Sequence, residues 1–88
     1  MSKSERLDEL ADEIVKVGNT LAGGAAYSFD AERERLETSE GRKELIHYLN
    51  TDINTYSIAA YYDDDNEDIK RADKVIGEIK ALDAELER

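Results

Sequence analysis

The chain has 88 residues, with 22 Asp and Glu against 12 Lys and Arg, a formal net charge of −10, and no cysteine, which excludes a disulfide framework and a thiolate metal site. A field of that sign repels nucleic acid and anionic lipid, both of which are bound through Lys and Arg. No apolar run reaches the roughly 18 residues of a membrane span, and the stretch from Met1 to Leu10 lacks the apolar core of a signal peptide, so a cytoplasmic protein is expected. A chain this short buries about 60 to 65% of its extended surface on folding. Residues 1–88 are therefore read as a single acidic helical domain of modest stability, which a second copy would help.

The first predicted element is a helix in which Leu7, Leu10, Ile14, Val17 and Leu21 recur three and four residues apart, the seam of a helix lying along a neighbour. Ser2 and Glu5 have capping-box spacing at its start, with Ser4 as a competing cap. Gly23 and Gly24 are the stronger stop, since paired glycines readily supply a left-handed cap; Gly18 and Asn19 offer an earlier break. Between Ala25 and Ser39 the pattern is weak. Ser28 or Asp30 caps a short peripheral helix through Glu37, with Phe29 and Leu36 as its only large apolar residues and Arg33 and Arg35 turned from any core. The alternative over 22–26 is a close-packed bend of small residues, or a continuous helix.

A further helix starts near Ser39 or Glu40 and runs to about Tyr62, with Ile46, Leu49, Ile53, Tyr56 and Ala60 in its stripe and Leu45 and Ala59 widening it. Asn50, Thr51, Asn54, Thr55 and Ser57 lower its intrinsic helicity, so packing must hold it. Asp64 or Asp65 then predicts the N-cap of a last helix. Its stripe is Ile69, Ala72, Val75, Ile76, Ile79, Leu82 and Leu86. With no alternating strand and no internal repeat, the predicted fold is all-α, a small antiparallel bundle of three or four helices.

Catalytic chemistry finds little support. His47 is the sole histidine, and no G-x-S-x-G, P-loop or H-E-x-x-H spacing places a nucleophile, a phosphate or a zinc ion. The expectation is a non-enzyme without cofactor or metal, in which His47 beside the helix stripe is a packing or surface residue. A calcium loop opening at Asp63 would need Gly and Glu where Asp68 and Lys74 stand, so that reading fails too.

The stretch from Glu44 to Ile69 holds Glu44, Asp52, Asp63, Asp64, Asp65, Glu67 and Asp68 without a single Lys or Arg, interleaved with Tyr48, Tyr56, Tyr61 and Tyr62. Tyr56 fits the core stripe, and Tyr48 fits beside it. Tyr61 and Tyr62 are adjacent and so point to different sides of a helix, which leaves one ring in solvent beside the aspartates. Rigid rings bury large areas while their hydroxyls keep a partner. A contact patch of Tyr61, Tyr62, Asp63, Asp64, Asp65, Glu67 and Asp68 is therefore expected.

The partner expected for that patch is a basic protein surface that ordinarily holds nucleic acid, with no direct contact to nucleic acid or membrane. Duplex DNA carries one charge per about 1.7 Å, and carboxylates one helical turn apart stand about 5 to 6 Å apart, so an acidic helix face imitates part of a phosphate strand. Small acidic inhibitors of restriction enzymes, CRISPR effectors and nucleases share these gross properties. Tyr61 and Tyr62 before Asp63 to Asp65 locally resemble the tyrosine pair of the immunity proteins of DNase colicins, with Asp63 in place of that family's proline. The resemblance implies a contact role for the pair and nothing more. The rival reading is a homodimeric structural or regulatory module that pairs through the first seam, its acidity serving solubility.

Overall fold

A computed structural model describes residues 2–60 and 66–86, with side chains for 2–57 and 66–86. Helix α1 (Lys3–Ala22) opens at Ser2, whose Oγ accepts the Glu5 amide at 3.2 Å. It closes at Gly23, which sits in the left-handed region at φ 76° and donates its amide to the Asn19 carbonyl at 3.0 Å. The helix therefore runs through Gly18 and Asn19, and the five seam residues are buried with Ala11 between them.

Helix α2 (Phe29–Leu36) follows a turn, so the continuous helix over 22–26 does not form. Ser28 holds the cap position, but its amide donates to Glu32 Oε2 at 2.9 Å, so the glutamate one turn on closes the end. Helix α3 (Ser39–Ala60) begins after Thr38, whose Oγ1 accepts the Gly41 amide at 2.9 Å. Helix α4 (Glu67–Leu86) corrects the sequence reading of its cap. Asn66 Oδ1 accepts the amides of Asp68 at 2.8 Å and Ile69 at 3.2 Å, and only the residue immediately before the first helical one reaches both. Asp64 and Asp65 lie outside the described residues.

Side-chain pairs fix the directions. Arg33 meets Asp8 while Tyr27 meets Asn19, and Arg35 meets Glu44 while Tyr27 meets Asp52. Arg42 meets Asp83 while Tyr56 meets Asp68, and Arg6 meets Glu85 while Glu13 meets Glu78. Each helix thus runs antiparallel to its neighbour in the order α1, α2, α3, α4 and back to α1, with α1 and α3 in contact across the middle. The described residues form a small all-α bundle of four helices. Ile14, Leu36, Leu45, Leu49, Ile79 and Leu82 fill its centre, one or more from each helix. Leu45 is fully buried and Ile46 only partly, the reverse of their expected ranking. No described helix is long and apolar enough to cross a membrane.

Among the described residues, two charged side chains are buried with the core, Glu32 at 1% exposure and Arg42 at 2%. Arg42 Nε donates to Asp83 Oδ1 at 2.6 Å and Nη1 to the Leu36 carbonyl at 3.0 Å. One guanidinium therefore satisfies an end carbonyl of α2 and ties it to the first turn of α3 and the last turns of α4. An arginine one turn into a helix ordinarily faces solvent; the orphan carbonyl and Asp83 draw this one inward. Glu32 pairs with Arg35, which is thereby held against the bundle and not turned away from it.

Tyr27 anchors the connection from α1 to α2. Its ring lies on Gly18, where a Cβ would overlap it. Asn19 grips its backbone from both sides, with Oδ1 accepting the Tyr27 amide at 2.8 Å and Nδ2 donating to its carbonyl at 3.2 Å. The pair Gly18 and Asn19 is a landing place for the returning chain and not a helix break.

Candidate functional site

Residues four apart on a helix stack along one face, about 6 Å per turn. On α3 that rule lines up Glu40, Glu44, Tyr48 and Asp52. The first three are exposed, Tyr48 at 41%, and Asp52 is half-buried. Tyr48 directly precedes the buried Leu49 and so points about 100° away from it, which corrects the expectation that Tyr48 packs in the core. From α2, Glu34 and Arg35 face the same surface. Two open hollows flank Arg35: one of about 360 Å³ bounded by Glu34, Glu40 and Glu44, and one of about 460 Å³ bounded by Tyr27, His47, Tyr48 and Asp52.

Among the described residues, Arg35 is the cation that lines both hollows, and it is already engaged. It donates to Glu32, lies 3.9 Å from Glu44, and holds its guanidinium carbon 5.6 Å from the Tyr48 ring centroid. The bond to Glu32 is the largest of the influences that hold its proton more tightly than usual. The His47 and Tyr48 rings stand 6.1 Å apart, tilted at 57°. From Glu44 to the end of α3 the sequence contains no Lys or Arg, whereas Glu40 shares its end of the helix with Lys43. Elsewhere the charges alternate. Arg33 takes Asp8 at 2.5 Å and Glu37 at 2.6 Å, Lys16 takes Asp12 at 3.0 Å, and Arg6 takes Glu85. Between α1 and α4 the Glu78 carboxyl is pushed up by burial first, then by the hydrogen bond and like charge of Glu13, with Lys74 opposing.

The Tyr27 hydroxyl donates to Asp52 Oδ2 at 2.5 Å and closes the floor of the second hollow. Its pKa is pushed far above the tyrosine range, by burial first and then by the bond to Asp52 and that carboxylate's charge. The folded chain keeps this proton longer than the unfolded one. The stabilisation is therefore fully present below about pH 10 and is lost as pH rises beyond it. Tyr27→Phe is expected to cost about 1.5 kcal/mol at pH 8 and to flatten the alkaline loss of stability, measured by urea unfolding across that range. A mutant curve parallel to the parent's above pH 10 would contradict the assignment.

Of the seven residues expected at the contact patch, Tyr61, Tyr62, Asp63, Asp64 and Asp65 lie outside the described residues. Glu67 is exposed in the first turn of α4, and Asp68 is half-buried beside it. The Tyr56 hydroxyl donates to Asp68 Oδ2 at 3.0 Å, and Asn66 Nδ2 donates to the Tyr56 oxygen at 3.4 Å, so Asp68 also fastens the end of α3 to the start of α4. Sequence reasoning missed Tyr27, the fifth tyrosine, although a lone aromatic just past paired glycines was a usable signal. It also missed the four-residue spacing of the Glu40 row. The chain matches no protein-family model, no curated protein and no solved structure.

Proposed function

We propose that this protein is a cytoplasmic, acidic, non-enzymatic inhibitor that occupies the basic, nucleic-acid-binding surface of a target protein. The observation that carries the reading is the row Glu40, Glu44, Tyr48 and Asp52, three carboxylates and an exposed ring on one face, with Arg35 beneath it already paired to Glu32 and Glu44. Glu40 and Glu44 stand one turn apart, about 5 to 6 Å, Asp52 follows about 12 Å further on, and the exposed ring between them supplies the area that charge alone lacks. Tyr61, Tyr62, Asp63, Asp64, Asp65, Glu67 and Asp68 extend the contact in this proposal. The α1 seam is buried inside the bundle, which leaves a homodimeric module without the apolar face it was expected to pair through.

The test is capture of host proteins on the immobilised chain, followed by competition of each captured protein against its labelled nucleic acid. Displacement is expected, weakening steeply between about 50 and 200 mM salt. The triple change Glu40→Gln, Glu44→Gln, Asp52→Asn should slow association about tenfold at low salt, and Asp63→Asn, Asp64→Asn, Asp65→Asn should slow it separately. A target that binds this protein and its nucleic acid at the same time would overturn the proposal.

A further inference from the structure

We infer that the hollow between Tyr27, Tyr48 and Asp52 receives an arginine side chain of the basic partner, an inference that rests on the binding function proposed above. The ring of Tyr48 already accepts one guanidinium: Arg35 lies 5.6 Å from its centroid, and 41% of Tyr48 remains exposed. Four residues further along the same face, Asp52 accepts the Tyr27 hydroxyl on Oδ2, and no Lys or Arg among the described residues forms an ion pair with it. A guanidinium entering the hollow therefore meets a flat ring for stacking and a carboxylate with a remaining oxygen for a charge-assisted bond. Arg35 lines the hollow but does not use its carboxylate, because its own partners are the buried Glu32 and the neighbouring Glu44, neither of which lines the hollow.

The chemistry selects arginine over lysine. A planar guanidinium stacks on a ring and donates in a fork, whereas an ammonium is a compact, strongly hydrated point charge that gains less from either group. The hollow, about 460 Å³ and wide open to solvent, is unlike the enclosing clefts that bury most of a small molecule's surface. It suits one side chain carried in by a larger surface. Floor and wall are held in place, since Asn19 clamps Tyr27 and the Tyr27 hydroxyl clamps Asp52, so little is ordered when the cation arrives.

The experiment titrates the intact chain with two peptides, tetra-arginine and tetra-lysine, following the Tyr48 and His47 ring signals by NMR and the affinity by calorimetry. Tetra-arginine should bind about two- to fivefold more tightly and move both ring signals. Tyr48→Leu should abolish the preference, Tyr48→Phe should retain it, and the thermal midpoint should stay put in both because the ring is on the surface. Equal affinities with unmoved ring signals would overturn the arginine assignment while leaving a salt-sensitive acidic face intact. Conversely, a clear arginine preference in a chain that displaces no nucleic acid from any captured protein would uphold the hollow and overturn the inhibitor reading.

Discussion

Arg42→Ala is expected to cost about 3 to 5 kcal/mol, comparable to the whole stability of a domain this size, so the variant should be largely unfolded by far-UV circular dichroism. The loss is not that of one ion pair. Removing the guanidinium strands the Asp83 carboxylate, which is only 28% exposed, and leaves the Leu36 carbonyl without its donor. Both groups were desolvated on the understanding that Arg42 met them, and an unpaired buried group costs more than the pair was worth. The double change Arg42→Met, Asp83→Leu separates these effects. It removes both charges and keeps the volume, so it should recover most of the lost stability. Recovery no better than the single variant would show that the Leu36 carbonyl, and not the charge pair, governs this corner.

Gly41→Ala is the second large effect, from pure geometry. A Cβ at Gly41 would overlap the backbone carbonyl of Arg35, and no flexible side-chain end is there to give way. The chain reverses from α2 into α3 within two residues, and Thr38 already holds the Gly41 amide. Either the α2 end must move off α3 or the first turn of α3 must unwind, at about 3 kcal/mol, the upper part of the range for overpacking. Because Arg42 reaches the Leu36 carbonyl across the same corner, displacement would also break that bond. Thermal unfolding should show a midpoint at least about 10 °C lower. A midpoint within a degree or two of the parent would mean that the corner is softer than its contacts imply. Gly77, where an added Cβ would meet no neighbouring element within 4 Å, is the control that should tolerate alanine.

The long helices were legible because their information is periodic. The α1 seam and the α4 stripe from Ala72 to Leu82 are buried as their three-four spacing requires, and the Ser2 and Gly23 ends follow from residue chemistry alone. Helix α2 was barely legible, for a physical reason. Phe29 is on the surface, and the helix is held by a buried glutamate and by an arginine that docks from α3. Sequence patterning reads Glu32 and Arg42 as solvent-facing, since charged residues seldom bury unless paired, and the pairing partners lie on other helices. The acidic face shows the same division. Its lack of Lys and Arg after Glu44 was visible in one dimension. That Tyr48 projects outward while Tyr27 turns in depended on which side of α3 the core would claim.

The helix lengths carry a last consequence. With 8 residues, α2 extends about 12 Å, whereas the 22 residues of α3 extend about 33 Å. The shorter rod stops just where Thr51 and Asp52 begin, so the recess beside Tyr48 is the step between two unequal lengths and not something carved by any one side chain. Lengthening α2 by a single turn ahead of Phe29 would roof that step over only by drawing Tyr27 off Gly18 and Asp52. The connection from Gly23 to Ser28 thus couples two properties: through Tyr27, how much of α3 meets the outside world is tied to what keeps the bundle folded.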